Sequence, residues 1–430
     1  MSERSIRSRI PRFRLPDYVE RLLSTFEENG YEAYVVGGAV RDVLRGADHI
    51  NDYDVTTNAL PEETKKLFSG YMIYETGIKH GTVTVNVDGN MVEVTTFRTD
   101  GEYTDSRHPD KVTFTKNIEE DLARRDFTVN AMALALDGRL VDPFDGVYDL
   151  ASGVIRAVGD PEKRFSEDAL RIMRAYRFSA KLCYEIDEDT LLASQKCSKG
   201  LENISRERIG VEWNKLLAST FCSKALLRMK KYGIFDVIFP KVAVEPDFLA
   251  KIETLPEEFC VRCAAFLKNV RIEELSTAAD RICLKNSELA AIKAILEALS
   301  QIRNGAVEDT RLFAYEYGDR AYFAALIASR EGSADLDFAR EVNDALHGGL
   351  VIKSRSDVCA VGEDLINAGA YDRSLLSPIF SLIITKIVCG TLKNEKTAIL
   401  NELPLILEEI DADRRCDPVS WRKMSKYRIK

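Results

Sequence analysis

The stretch AYVVGGAVRDVLRGADHINDYDVTT, residues 33–57, decides how the chain opens. Residues 33–36 form a short apolar run that ends in Gly37 and Gly38, which marks a strand running into a tight turn. AVRDVLRG then has helical character and stops at Gly46. DYDVTT returns to strand. Strand, glycine turn, helix and strand in that order predict an α/β beginning. Glycines at such a turn let backbone approach a ligand closely, and free N–H groups at a helix start attract phosphate. The pattern is neither GxGxxG nor GxxxxGK[ST], so it supports neither a dinucleotide fold nor a P-loop.

The α/β character continues outward. Pro61 opens PEETKKLF, a helix with acids in its first turn and lysines later, as the macrodipole favours. TVTVNV and MVEVTTF are β-branched runs joined through Asp88-Gly89-Asn90, a hairpin signal. ALAL and LVDP flank Asp137-Gly138, a second hairpin. Past residue 160 or so the strand patterns vanish and apolar residues recur at helical spacing. EDALRIMRAYRFSAKL places Ala169, Ile172, Met173, Tyr176 and Ala180 on one side of a helix. Similar patterns occupy 210–230, 246–270, 287–303 and 374–410, with no fixed-period repeat. Gly348-Gly349 marks a joint inside this helical part.

Composition bounds the function. At about 150 residues per domain, 430 residues suggest three domains or one elongated, multi-lobed chain. An apolar share of 45% beside 30% charged residues builds a core unaided, and no apolar run reaches the ~18 residues of a membrane span. The net charge of −9 excludes a globally basic coat for nucleic acid, but not a local basic groove. The nine cysteines all lie at or beyond Cys183, which is no disulfide framework and fits a reducing cytoplasm. Cys260 and Cys263 sit one helical turn apart among apolar residues and read as a buried helix face. Arg4, Arg7, Arg9, Arg12 and Arg14 read as a mobile basic arm. Glu3, two prolines and the short length argue against a transit peptide. The last ten residues, WRKMSKYRIK, hold five basic side chains and no acid.

Three clusters could carry chemistry. Asp52 and Asp54, two apart on a strand, share a face and can hold Mg²⁺, whose hard charge prefers oxygen ligands. Alone, Asp-x-Asp marks a solvated turn; one helix after a phosphate-sized glycine turn, it becomes a two-metal site for phosphoryl transfer. One ion would activate a hydroxyl and the other would stabilise the leaving pyrophosphate. EDLARRDFTVNAMA supplies Arg124 and Arg125, forks suited to phosphate oxygens, though Arg124 fits a surface ion pair equally well. In EDALRIMRAYRF, residues Asp168, Arg171, Arg174 and Arg177 recur at three-residue steps, each about 60° short of a full turn. On one helix this makes Asp168 and Arg171 neighbours, carries Arg174 further round and puts Arg177 nearly opposite Asp168. Spacing alone fits an ordinary i,i+3 ion pair. Asp142, Asp145 and Asp149 lack calcium-loop spacing and read as helix caps or a domain joint. His49, His80, His108 and His347 show no metal spacing.

Taken together these motifs resemble the class II, bacterial and eukaryotic-type, tRNA nucleotidyltransferases, the CCA-adding enzymes. VVGGAVRDVLRG, DYDVTT, TGIKHGTVTV, EVTTFRTD, RHPDKV, DLARRDFTVNAMA, VDPFDGVYDL and RFSEDALRIMRAYRFSAKL follow that family's order and spacing from about residue 34 to 182. A weaker continuation runs through ISRERIGVEWNKLL. The resemblance implies an α+β chain. A small nucleotidyltransferase head of the DNA polymerase beta superfamily, with a mixed sheet, spans 1–155. It is followed by an all-helical neck (156–216), body (217–330) and tail (331–430). The neck would recognise the base, and the tail would bind tRNA. The implied reaction is stepwise addition of C, C and A to the tRNA 3′ end from CTP and ATP, without a template and with Mg²⁺. The implied partners are tRNA, through its 3′ end and acceptor arm, and the two nucleotides, with no membrane and no obligate protein partner.

Carried onto this chain, the family pattern makes Asp52 and Asp54 the catalytic metal ligands. Gly38, Arg41 and Arg125 fall on its nucleotide-holding positions in the head, Asp168 and Arg171 on the pair that reads the base, and Arg174 and Arg177 on further nucleotide contacts. The base reading has its own physical logic. A carboxylate at Asp168 accepts from cytosine N4 or adenine N6 and meets only oxygen on uracil or guanine, while Arg171 donates to cytosine N3/O2 or adenine N1. A mismatched base leaves buried charge unpaired, so rejection by this route can be large. RGADHIND is one residue longer than common family versions and lacks their proline, which predicts a changed loop with activity kept. Related outputs are CC addition alone, A addition alone, or poly(A) synthesis. The full-length YTDSRHPDKV segment favours complete CCA, and no extra basic motif after Asp-x-Asp favours poly(A). An inactive RNA-binding homologue conflicts with the intact acids and arginines, and a phosphohydrolase at an appended metal site conflicts with the sparse histidines.

Overall fold

The computed structural model describes residues 15–47, 49–50, 52–100 and 112–417. The basic residues at both ends, and Tyr103 to Lys111 of the YTDSRHPDKV segment, lie outside the described residues. The chain divides into two compact units, residues 1–253 with 280–283, and 254–279 with 284–430.

The first unit opens on helix α1 (Asp17–Glu28), whose Val19, Leu22, Leu23 and Phe26 stand at offsets 0, 3, 4 and 7, one helix face, and are all fully buried. Strand β1 (Ala33–Val36) is buried along its whole length, as a central strand of apolar residues should be. Helix α2 (Gly38–Leu44) follows, then strand β2 (Asp54–Thr57) and helix α3 (Pro61–Leu67), which Pro61 opens. Strands β3 (Met72–Tyr74), β4 (Thr82–Val87) and β5 (Asn90–Thr96) complete one side of the sheet. Asp88 at φ 52° and Gly89 at φ 86° form the two-residue turn between β4 and β5. Strands β6 (Arg98–Asp100) and β7 (Val112–Phe114) form a separate ribbon, and helix α4 (Ile118–Ala123) comes next. Strands β8 (Ala133–Leu134) and β9 (Leu140–Val141) are the second hairpin, with Gly138 at φ 83°.

These strands make a seven-stranded mixed sheet in the order β3-β4-β5-β2-β1-β8-β9. All pairings are antiparallel except β2 with β5, where Asp54 stands opposite Glu93. One cluster of buried side chains joins the sheet, through Tyr34, Val36 and Ala133, to Phe97 and to Ile118 and Leu122 of α4. The ring of Phe26 on α1 packs 5.2 Å from that of Phe68 at the end of α3.

Helix α5 (Gly146–Ser152) follows β9. The Asp142 carboxylate accepts the N–H groups of Gly146 (2.7 Å) and Val147 (2.9 Å), so this acid caps a helix, as its spacing predicts. Asp149 is buried and accepts the Thr128 hydroxyl at 2.7 Å. Strand β10 (Val154–Ile155), helix α6 (Pro161–Glu167), helix α7 (Leu170–Leu182) and strand β11 (Glu185–Ile186) come next. Strand structure therefore does not end near residue 160: β11 pairs in parallel with β10, a two-residue match too short for periodicity to register. Asp160 caps α6 by accepting from Glu162 N at 2.9 Å, with Pro161 in the first turn. Ala169, Ile172, Met173, Tyr176 and Ala180, the face foreseen for α7, are all buried.

Helices α8 (Glu188–Lys196), α9 (Arg206–Leu217) and α10 (Cys222–Lys231) complete the part of this unit that concerns the site. The helical pattern over 210–230 is thus broken in two. Ser219 turns its hydroxyl back onto the Lys215 carbonyl at 2.7 Å and its N–H onto Leu216, which closes α9.

The described second unit is helical. Ile379, Ile383, Ile384 and Ile387 of the helix Leu376–Val388 share a core with Ile399, Leu403, Ile406 and Ile410 of Lys396–Cys416. The pattern over 374–410 is interrupted between them, where Gly390 takes φ 78°. Cys263 is buried and Cys260 half-buried on the helix Phe259–Phe266. Gly348 and Gly349 end a π-helical turn, Ala345–Gly349, after the helix Leu336–Asp344. Among the described residues no helix is long and apolar enough to cross a membrane.

Candidate active site

The glycine turn comes first. Gly37 takes φ 70°, ψ −131°, a conformation open to glycine and strained for any side-chain-bearing residue. A Cβ at Gly37 would stand 3.2 Å from Arg125 Nη1, and one at Gly38 would stand 3.5 Å from Arg41 Nη2. The turn is bare because two guanidinium groups lie against it. Helix α2 has only seven residues, too short for much of a macrodipole. Positive charge here comes from arginine side chains more than from the helix start.

The acid pair stands beside this turn. Asp52 and Asp54 are exposed on either side of buried Tyr53, so they share a face although the strand itself begins at Asp54. Although Asp54 as a whole residue is exposed, it stands against the cleft wall, and the partial loss of water there pushes its carboxyl above the ordinary carboxylate range. Glu93 and Asp52 push the same way, against Arg125. Negative charge crowded on one open face suits a hard divalent cation. Among the described residues no three His, Cys, Asp or Glu side chains gather closely enough to hold an ion unaided. Mg²⁺ fits such a pair, because it binds one or two carboxylates together with substrate phosphates and keeps several waters. The position of Glu93 follows from the β2–β5 register; its strand was legible, but not its place opposite Asp54.

Arg124 and Arg125 are held from below by Asp121, which is fully buried. Its carboxylate accepts Arg124 Nε at 3.0 Å and Arg125 Nη2 at 3.2 Å. Burial alone would raise the Asp121 carboxyl, but the two guanidiniums outweigh it and hold it low. The surface ion pair that fits the sequence at Arg124 is therefore a partly covered arginine on a buried acid. Asp126, also buried, accepts Arg174 through Nε (2.7 Å) and Nη2 (2.6 Å), Asn130 Nδ2 at 3.2 Å and its neighbour Phe127 N at 2.8 Å. Asn130 Oδ1 in turn accepts Arg41 Nη1 at 2.6 Å. Arg41, 3% exposed, also pairs with Asp42 at 2.9 Å. One hydrogen-bonded chain thus runs from the glycine-turn helix through Asn130 and Asp126 to α7.

On α7, buried Glu212 from α9 approaches Arg177 Nε at 2.5 Å and Arg174 Nη1 at 3.9 Å. The ring of Phe178 gathers three guanidiniums, with Arg177 at 3.9 Å, Arg41 at 5.3 Å and Arg174 at 5.4 Å from its centroid.

Asp168 and Arg171, expected from the family resemblance to read the base, depart from their expected geometry. Asp168 lies between α6 and α7 in an extended conformation, φ −145°, ψ 103°, and α7 begins at Leu170. Helical phase therefore does not relate Asp168 to Arg171 or to Arg177, and Arg177 is not opposite Asp168: both line the same cleft. Nor is there an Asp168–Arg171 ion pair. The Asp168 carboxylate accepts Leu170 N at 3.0 Å and Arg208 Nη2 at 2.7 Å. Arg171 donates to Glu167 (2.7 Å) and to the carbonyls of Arg164 (2.9 Å) and Arg124 (3.1 Å).

Of the metal- and nucleotide-binding candidates named from the sequence, all but Asp52 line one cleft of about 440 Å³, within the usual range for small-molecule sites. Gly38, Arg41, Asp54, Arg125, Asp168, Arg171, Arg174 and Arg177 line it; Asp52 stands beside it. Eight basic side chains and three carboxylates face this space, so a chain of net charge −9 contains a strongly positive pocket. Lys181 and Arg208 are lining residues not foreseen from the sequence. Burial and the nearby Arg41 hold the Lys181 ammonium below the ordinary lysine range. Arg208 and Glu212, four apart in RERIGVEW, were within reach of an i,i+4 count, but nothing in that count shows which acid or arginine of another helix each one meets.

Residues 33–156 match the family model described as poly A polymerase head domain. Residues 183–245 match the model "Probable RNA and SrmB- binding site of polymerase A", and 264–403 match that of tRNA nucleotidyltransferase domain 2. The CCA-adding enzyme of Ligilactobacillus salivarius is 35% identical over 412 residues, covering 92% of this chain and 98% of its own. That of Leuconostoc citreum is 39% identical over 352 residues, covering 80% and 85%. Among solved structures, the Bacillus stearothermophilus CCA-adding enzyme in complex with CTP superposes with a TM-score of 0.78 at 31% identity, covering 93% of this chain and all of that one. The Thermotoga maritima CCA-adding enzyme complexed with tRNA shares the fold, with a TM-score of 0.69 at 23% identity over 94% of this chain and 98% of its own.

Proposed function

The chain belongs to the family of CCA-adding enzymes, and we propose that it adds C, C and A in turn to the 3′ end of tRNA, taking CTP and ATP and releasing pyrophosphate. In each step the tRNA 3′ oxygen bonds to the nucleotide α-phosphorus, the α-phosphorus bond to pyrophosphate breaks, and the hydroxyl proton leaves to solvent. The observation that carries this reading is a single cleft with Asp54 at one side and Asp168 and Arg171 in its wall. It offers an acid site for a cation, a positive lining for a triphosphate and a polar pair for a base edge.

Asp52 and Asp54 would hold Mg²⁺. A divalent ion bound there supplies charge that stabilises the entering and leaving oxygens of in-line phosphoryl transfer. Arg125, pinned by Asp121, and Arg174 and Arg177, pinned by Asp126 and Glu212, present forks to phosphate oxygens in fixed directions, which limits the reorganisation needed on binding. Gly37 and Gly38 leave room for the nucleotide beside Arg41. Asp168 and Arg171 select amino-bearing pyrimidine or purine edges. The body and tail would carry the acceptor arm. A reducing cytoplasm suits nine cysteines that are all free.

The direct test gives labelled CTP and ATP, separately and together, to a tRNA lacking its terminal CCA. Two additions with CTP alone and a third only with both nucleotides are expected. A ladder that stops after CC, an A added only to a preformed CC end, or a long A tract would each point to a narrower or broader relative. No incorporation by the metal-supplied protein would refute the reading.

A further inference from the structure

The sheet has two unlike faces. Along β4 and β5, Val83, Val85, Val92 and Val94 are buried on one side. Thr82, Thr84, Asn86, Met91, Glu93 and Thr95 alternate with them and are half-buried or exposed on the other. Strand register sets these open-side residues in rows. Asp54 stands opposite Glu93, Glu93 opposite Thr84, and Thr84 opposite Tyr74 on the edge strand β3. The next row holds Met91, Asn86 and Met72. Residues paired across strands share a face, so one open surface leads from Asp54 to the edge of the sheet.

At its outer end this surface is apolar. Tyr74 is 41%, Met91 49% and Met72 61% exposed. The Tyr74 hydroxyl donates to Met72 Sδ at 2.8 Å, which draws the ring along the strand. Single exposed apolar residues are ordinary, but three on one face, in line with the candidate active site, mark a contact surface. Nearer Asp54 the surface turns basic. A crevice of about 190 Å³ opens on the β5 side of Asp54, away from the glycine turn, with Arg98, Arg124 and Arg125 facing Asp54 and Glu93. In-line transfer brings the attacking oxygen in opposite the leaving pyrophosphate. With a triphosphate against Gly37, Gly38 and Arg41, that approach comes from the β5 side. Guanidiniums beside the reacting end and an aromatic platform further out are the two parts of a site for single-stranded nucleic acid.

We propose that this open sheet face is the track for the unpaired 3′ end of the RNA: its last phosphate sits in the arginine-lined crevice, and a base behind it stacks on Tyr74 between Met72 and Met91. The inference rests on the proposed nucleotidyltransferase function and adds to it where the growing end is held. At about 4.8 Å between neighbouring strands, three strand steps put Tyr74 about 14 Å from Asp54. A stacked strand advances about 3.4 Å per nucleotide, so the base on Tyr74 lies within about four nucleotides of the reacting hydroxyl. Stacking tolerates any base, which suits a terminus whose last bases change with each addition.

The test uses the full chain and two RNA hairpins built on an acceptor arm, one blunt-ended and one with an unpaired 3′ tail ending in CC. The wild type should bind the tailed hairpin more tightly. Tyr74→Ala should weaken binding of the tailed hairpin by about 10-fold or more, the scale of one base–aromatic stack, and leave the blunt one unaffected. Tyr74→Trp should keep the advantage of the tail. In extension assays KM for tRNA should rise in Tyr74→Ala, while KM for CTP and the CTP/UTP ratio stay at wild-type values. A tyrosine that served only stability would lower the thermal midpoint and weaken both hairpins alike. Equal loss on the two hairpins, no loss on the tailed one, or a wild type indifferent to the tail overturns the proposal. So does a change in self-association of Tyr74→Ala with RNA binding unaltered, which would make this face an interface between copies of the chain. Failure of the wild-type chain to extend tRNA, with tail-dependent binding intact, would count against the proposed reaction alone.

Discussion

The Asp126 carboxylate receives the Arg174 guanidinium through two nitrogens, Nε at 2.7 Å and Nη2 at 2.6 Å. Asp126 follows α4 in the sheet-bearing part of the first unit and Arg174 lies on α7, so this fork fastens α7 to the sheet-bearing part across the cleft. Removing Asp126 strands Arg174, but that guanidinium is 35% exposed to the cleft and water screens it, so the cost is about 1–3 kcal/mol. Asp126→Ala should therefore lower unfolding free energy by about that amount in denaturant melts. It should also raise KM for both CTP and ATP, because Arg174 and Asn130 lose their anchor together. A variant as stable as the wild type would show that the fork contributes little.

Acid should weaken the same region. For Asp121 and Asp126 burial pushes the carboxyl up, but Arg125 and Arg124 in one case and Arg174 in the other outweigh it, so both are held below the usual range. A depressed carboxylate contributes stability that is complete above the unfolded value, about 3.9, and is lost as pH falls through the folded one. The thermal midpoint should stay level from neutrality to about pH 5 and fall below about pH 4. Asp126→Asn should start lower and fall less. Parallel curves for the two proteins would exclude Asp126 as a source of the loss.

The head was legible in the sequence because each signal there is local. A β-branched run, a glycine with forced positive φ, a proline in a first turn and an Asp-Gly hairpin each act within a few residues, and β1, α2, α3 and the two hairpins stand where those signals put them. What was not legible is set by long-range partners. Nothing near Asp168 says that it interrupts the helix: its neighbours favour helix, and the break is held by Arg208 from α9 and by the Leu170 N–H. The i,i+3 arithmetic that paired Asp168 with Arg171 assumed one continuous helix and failed for that reason. Likewise, Asp121 and Glu212 are acids in helical patterns, indistinguishable by spacing from solvated ones, and their burial under arginines is a property of the packed unit.

Replacing Asp52 or Asp54 by alanine should abolish incorporation of both nucleotides, by on the order of 10³-fold or more if the lost ion supplied several kcal/mol of charge stabilisation. The fold should not suffer. Asp54 is pushed up by partial loss of water, by Glu93 and by Asp52, so in the metal-free protein its charge opposes its surroundings. The thermal midpoint of metal-free Asp54→Ala should equal or exceed that of the wild type. Addition of Mg²⁺ with a non-hydrolysable CTP analogue should raise the wild-type midpoint and leave the variant where it was. Retained incorporation in either variant would refute the metal assignment.

Arg171→Ala should lose discrimination among nucleotides before it loses all turnover. Arg171 is 8% exposed and anchored on Glu167 and on the Arg164 and Arg124 carbonyls, so its direction into the cleft is set before any nucleotide binds. Without it Asp168 can still reject oxygen-edged bases, but nothing donates to cytosine N3 or adenine N1. The CTP/UTP ratio of kcat/KM should drop by about 10-fold or more. An unaltered ratio in a folded protein would remove Arg171 from base reading.

Gly37→Ala separates backbone from side-chain contributions at the turn. The residue holds φ 70°, ψ −131°, where an alanine costs about 1–3 kcal/mol. Its Cβ would also stand 3.2 Å from Arg125 Nη1, tight enough that this guanidinium must shift by a few tenths of an ångström. Arg125 is tethered to Asp121 at 3.2 Å and can yield only by lengthening that bond. The variant should melt a few degrees lower and show a raised KM for CTP and ATP alike, with its CTP/UTP ratio preserved because the base side of the cleft is untouched. A changed ratio would mean that the turn and the base-reading link are mechanically coupled through Asn130 and Asp126.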